Sequence, residues 1–112
     1  MGKAFLSGAS DPEAEIRALG ALKRYTPNTL TDKRQLLDDV QLSAQRGYAI
    51  DDEEQLNGVR CVGAPIFDKS GRARAAFAIQ GPSVHLSHER VAEVGGELPK
   101  FARRLATAMR LG

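Results

Sequence analysis

GYAIDDEEQLNGVRCVGAPIFD, Gly47 to Asp68, decides how the rest of this chain must fold. Gly47 closes a helical pattern, as glycine does where a chain turns out of a helix. Tyr48-Ala49-Ile50 reads as a short extended piece, Asp51-Asp52-Glu53-Glu54 as an acidic loop, and Val59 to Phe67 as a strand interrupted by Gly63 and Pro65. Asp68-Lys69-Ser70-Gly71 is then a turn, with glycine where a left-handed residue is wanted, and Ala73 to Gln80 is the returning strand. Gly81-Pro82 ends it.

If those four turn residues form the loop, Phe67 faces Arg72, and counting back places Cys61 opposite Ala78 and Val59 opposite Gln80. Side chains alternate along strands, so Val59, Cys61, Ala78 and Gln80 share one face.

Outward from this hairpin the chain reads as helices. Gly2 to Leu6 begins without a cap, as if inside an element. Asp11-Pro12-Glu13 combines an N-cap acceptor, a proline at the first helical position and an acid in the first turn, and Ile16, Leu19 and Leu22 supply a buried stripe that ends before Tyr25. Thr29-Leu30-Thr31-Asp32 caps a second helix whose Leu36, Leu37, Val40 and Ala44 share a face up to Gly47. Ser87 caps the last helix, where Val91, Val94, Leu98, Phe101, Leu105 and Met109 form the core stripe and Gly95, Gly96 and Pro99 are expected to kink it. Helices packed on an antiparallel sheet make an α+β domain.

At 112 residues and 42% hydrophobic content, the chain has material for one core, so residues 1–112 are expected to form a single domain. A net charge of +2, with both signs interspersed, leaves no footprint for nucleic acid. Lys100, Arg103, Arg104 and Arg110 read as a solvated helix face. No apolar run is long enough to span a bilayer, and no leader is visible, which together with a single cysteine points to the cytoplasm. Cys61 alone makes a poor case for catalysis, because the only imidazoles, His85 and His88, sit far along the hairpin near a helix start. Those two at i, i+3 read as capping-turn residues rather than metal ligands, so neither enzyme activity, metal nor cofactor is expected. By default the acidic run is a solvated loop that protects a sheet edge.

Gly47, Asp51, Glu54, Cys61, Val62, Gly63, Ile66, Phe67 and Asp68 also carry a recognisable spacing. It resembles the signature of IclR-type transcriptional regulators, in their effector-binding domain, and the segments Tyr25-Thr26 and Thr29-Leu30-Thr31-Asp32 resemble that family too. The resemblance implies a GAF/profilin-like sheet, present in part. It places Gly2-Lys3-Ala4 well inside the effector domain, with three strands and a winged helix-turn-helix normally preceding it, so the chain is expected to be the C-terminal part and not to read an operator by itself. It also implies a ligand site. In members that sense small carboxylates, the signature Asp and Cys contact the ligand with two polar residues on the returning strand, and those positions here are Asp51, Cys61, Ala78 and Gln80. Ala78 lacks the usual hydroxyl and Gln80 puts a longer amide in place of another. The function so implied is sensing of a small organic acid, coupled to self-association into a homo-oligomer, without direct DNA or membrane contact. The alternative is a structural piece that folds and dimerises without sensing.

Overall fold

The structure, a computed structural model, describes residues 2–111. Three helices come first, α1 (Gly2–Ser7), α2 (Pro12–Arg17) and α3 (Lys33–Arg46), followed by β1 (Ala49–Asp52), β2 (Val59–Phe67), β3 (Ala73–Pro82) and α4 (His88–Ala108). The strands form one antiparallel sheet in the order β1-β2-β3. Alternation along the central strand sorts its side chains. Val62 and Ala64 turn towards α4 and form a core with Leu86, Val91 and Leu98, while Pro65 and Phe67 turn the other way, against Gly8 at the end of α1. The result is a sheet with helices on both faces, an α+β fold.

Two close approaches explain where the glycines stand. The ring of Tyr48 lies against α4 at Gly95, where a Cβ would come within 2.6 Å of ring carbons. Gly47 caps α3 in the left-handed region at φ 94° and meets Pro99 of α4. A helix that must lie flat on a sheet uses bare or small residues at its contact line. This accounts for the main departure from the expected pattern on α4: its buried positions are Val91, Gly95, Leu98, Ala102 and Ala106, whereas Phe101, Leu105 and Met109 face outward. The helix also runs through Gly95, Gly96 and Pro99 as one element of 21 residues.

The other helices differ in detail. α2 stops at Arg17, well short of Tyr25, and Leu19 is exposed. Gly20 disfavours continuation, and Lys33 Nζ reaches back to the carbonyls of Arg17 and Leu19, satisfying groups the helix end leaves open. On α3 the inner face includes Ser43 beside Val40, both fully buried, and Ala44 is exposed. The Ser43 hydroxyl is made tolerable there by donating to Asp39 O at 2.7 Å. Asp32 and Ser87 cap α3 and α4 as expected.

The hairpin register is shifted from the expected pairing by one at Phe67 and by two from Ile66 back to Val59. Phe67 pairs with Ala73 rather than Arg72, and Ile66 with Ala75, which leaves Arg74 as an extra residue in β3. Asp68 builds the longer loop by accepting from Ser70 N, Ser70 Oγ and Arg72 N, with Gly71 at φ 83°. Cys61 therefore faces Gln80, Gly63 faces Ala78, and Val59 faces Pro82. A shift of two preserves the face each side chain occupies, so the expected grouping survives while its partners change. Neither Gly63 nor Pro65 interrupts β2. Pro65 lies beyond the end of β1, where its missing N–H removes no bond to that strand.

Candidate functional site

β1 takes in the first two acids of the run, and its pairing places Asp51 directly across from Cys61. Cys61 in turn faces Gln80, so Asp51, Cys61 and Gln80 form one row across all three strands. The thiol donates to Gln80 Oε1 at 3.5 Å. Ala78 falls in the next row, opposite Gly63, and is exposed. Of the four candidate residues the fold thus brings three into direct register and sets the fourth one step along the same face. Asp51 and Cys61 are half-buried and Gln80 is exposed, making the row a shelf open to solvent.

The acidic run is held far more firmly than a solvated loop. Asp51 Oδ1 accepts from Glu54 N at 2.8 Å. Thr26 Oγ1 donates to Glu53 O, Thr29 Oγ1 to Glu54 O, and Asn28 Nδ2 to Asp52 O. Lys3, nearly buried, joins Asp39 of α3 at 2.5 Å and Glu54 at 2.9 Å. Arg60, also nearly buried, holds Asp52 at 2.9 Å and donates to Leu86 O at 2.7 Å. These contacts keep Glu53 in the left-handed region at φ 56°, a conformation that costs a non-glycine residue about 1 kcal/mol or more.

Lys3 and Arg60 escape sequence reading because a cation in an apolar pattern is ordinarily read as exposed. The signal available was positional: Arg60 stands two before Val62 and four before Ala64, on the α4 face of the strand. His88 Nε2 lies 3.8 Å from Asp52 Oδ2 and 3.5 Å from Arg60 Nη2. Among the described residues no group of three or more His, Cys, Asp or Glu is placed to hold a metal ion.

Electrostatics set the state of the row. Burial pushes the Cys61 thiol above its ordinary value, and the charges of Asp51 and Glu54 push it further. At neutral pH it is a neutral donor, not a thiolate nucleophile. Burial also raises Glu54, against the opposing pull of Lys3. The thiol engages Gln80 Oε1, and the exposed Gln80 side chain carries two amide N–H donors besides. The shelf can offer donors from Gln80 and a weakly polar sulfur, over an acid whose Oδ1 already serves its own loop.

Residues 1–107 match the family model described as bacterial transcriptional regulator IclR C-terminal. The chain belongs to the IclR family. Within it, the regulator BhcR of Paracoccus denitrificans is 38% identical over 111 residues, spanning 97% of this chain and 39% of that protein. The repressor BlcR of Agobacterium tumefaciens superposes with a TM-score of 0.85 at 34% identity, covering 99% of this chain and 45% of the other. The inducer-binding domain of a PobR double mutant from Acinetobacter, solved as its 3-hydroxybenzoic acid complex, superposes at 0.79 with 27% identity over 93% of this chain and 61% of that one. This IclR chain therefore spans about two fifths of the length of the curated relatives it matches. Those relatives are regulators and repressors of transcription, not enzymes. Among the described residues of the IclR chain no helix is long and apolar enough to cross a membrane.

Proposed function

We propose that residues 1–112 act as one effector-binding unit of an IclR-type regulator in the bacterial cytoplasm. The unit binds a small organic acid over Asp51, Cys61 and Gln80, with Ala78 shaping the neighbouring position. The observation that carries this reading is the three-strand row, in which Asp51 stands across from Cys61 and the Cys61 thiol donates to the exposed Gln80. The aromatic acid held by the PobR domain supports a carboxylate as the ligand class. The outer edge of β3, with Ile79 exposed beside it, supports self-association through strand pairing, to which ligand binding would be coupled. Calorimetric titration with 2-oxo, 2-hydroxy and aromatic acids tests the reading: one of them should bind saturably, and Cys61→Val should weaken it. Failure of every acid would reject it.

A second reading has its own support. Asp51 Oδ1 is committed to Glu54 N, and the threonine and lysine contacts account for the rest of the acidic loop without any ligand. On this reading the segment is a structural piece that folds and self-associates without sensing. Sedimentation with and without saturating ligand separates the two, because only a sensor changes its association.

A further inference from the structure

At the opposite end of β2 from the Asp51 row lies a cavity of about 680 Å³ that shares no residue with that row. β1 begins at Ala49, opposite Gly63, so the edge of β2 from Ala64 onward has no strand partner on that side, and the cavity opens where Ala64 and Pro65 pass between the last turn of α3 and the second half of α4. Phe67, Pro99, Ala102 and Ala106 complete an apolar wall. Its size falls within the roughly 300–1,000 Å³ of small-molecule sites, which are lined mainly by apolar side chains with a few polar groups.

The polar groups in the wall are not equivalent. Asp68 is occupied by Ser70, Arg72 and Arg74. The hydroxyls of Ser7 and Ser43 donate to Ala4 O and Asp39 O, which leaves them only as acceptors. Arg103 is different: it lines the cavity and has no ion-pair partner among the described residues. A guanidinium presents a planar fork of donors matched to a carboxylate. An apolar wall beside one exposed arginine that forms no ion pair among the described residues suits a ligand with an apolar body and a single negative end.

We infer that this cavity is a second binding site, taking a small monocarboxylate of aromatic or branched-chain size, its carboxylate on Arg103 and its body against Pro99, Ala102 and Ala106. The site stands independently of the reading of the Asp51 row. It joins α3, β2 and α4, so occupancy would tie together helices from both faces of the sheet.

The test is an NMR titration of the 112-residue chain with benzoate, 3-methylbutanoate and uncharged benzamide. Benzoate should shift the resonances of Ala64, Ala102 and Ala106 and leave Cys61 and Gln80 in place. Arg103→Gln should weaken benzoate about tenfold or more, as loss of a charged hydrogen bond does, and benzamide should be weaker than benzoate by a similar factor. Ala106→Leu, which fills the cavity, should abolish binding while the rest of the spectrum holds. Arg104→Gln, outside the wall, should change nothing. Equal affinity for benzoate and benzamide, indifference to Arg103→Gln, shifts confined to Cys61 and Gln80, or no shift at millimolar ligand would each overturn the assignment.

Discussion

The sulfur of Cys61 lies 3.5 Å from Oε1 of Gln80, its partner directly across β2 and β3. Asp51 closes the same row from the other side. A negative charge beside a half-buried thiol disfavours a second one, so this cysteine should react slowly with electrophiles at neutral pH. Asp51→Asn keeps an acceptor for Glu54 N and removes the charge. It should lower the thiol's apparent pKa and speed its alkylation, measured as rate against pH; an unchanged profile would show that Asp51 does not act on the sulfur.

Lys3 fastens α1 to α3 and to the acidic loop through two carboxylates. Its removal leaves Asp39 and Glu54 close together without their shared cation. Lys3→Met should destabilise the fold by roughly 2–3 kcal/mol, below the ~3–5 kcal/mol typical when a fully buried pair is broken, as read from urea unfolding.

Glu54 gives a pH dependence of defined sign. Its folded pKa is raised, chiefly by burial, so between the unfolded and folded values the native state holds more protons than the unfolded chain. Stability from this group therefore falls as pH rises through that window above about 4.5. Glu54→Gln should flatten that part of the stability profile, seen as a smaller loss between acid and neutral pH than in the parent chain.

In the middle of an exposed helix Gly→Ala ordinarily stabilises by about 1 kcal/mol. At Gly95 the sign should reverse, because the added methyl meets the Tyr48 ring, which is itself covered by the Arg46 guanidinium at 4.8 Å from its centroid. Gly95→Ala should cost roughly 1–3 kcal/mol. In a Tyr48→Ala background, where the ring is gone, the same substitution should be neutral or stabilising.

Gly95 also shows which features a sequence can disclose. Gly47, Asp32, Ser87 and Gly71 were legible because each does a local job that few residue types can do: a left-handed cap, an N-cap acceptor or a tight turn. The burial of α4 was not, since side-chain size points to Phe101, Leu105 and Met109 whereas close packing on the sheet selects Gly95, Ala102 and Ala106. Face membership in the hairpin could be counted, but the partners could not, because the extra residue at Arg74 has no marker in sequence. The candidate row was half legible for the same reason: Cys61 and Gln80 share a face by parity, while their direct apposition depends on the bulge. Lys3 and Arg60 needed the tertiary structure, which supplies the buried carboxylates and carbonyls that make their burial tolerable.

The outer edge of β3 gives a prediction about assembly. If chains associate along it, light scattering should show a dimer that dissociates on dilution, and Ile79→Lys, which puts a charge beside the edge, should shift it to monomer. A monomer at all concentrations would remove strand pairing from the account.

Whether the Asp51, Cys61 and Gln80 row receives the effector is tested most directly by thermal unfolding with short-chain 2-oxo and 2-hydroxy acids, rather than the aromatic and branched acids suited to the Arg103 cavity, on the parent chain and on Gln80→Leu and Arg103→Gln. At a concentration about a hundredfold above Kd, a binding acid should raise Tm by at least about 5 °C. This gain should be lost in Gln80→Leu and kept in Arg103→Gln. A gain that survives Gln80→Leu, or no gain with any acid, would contradict effector binding by the row.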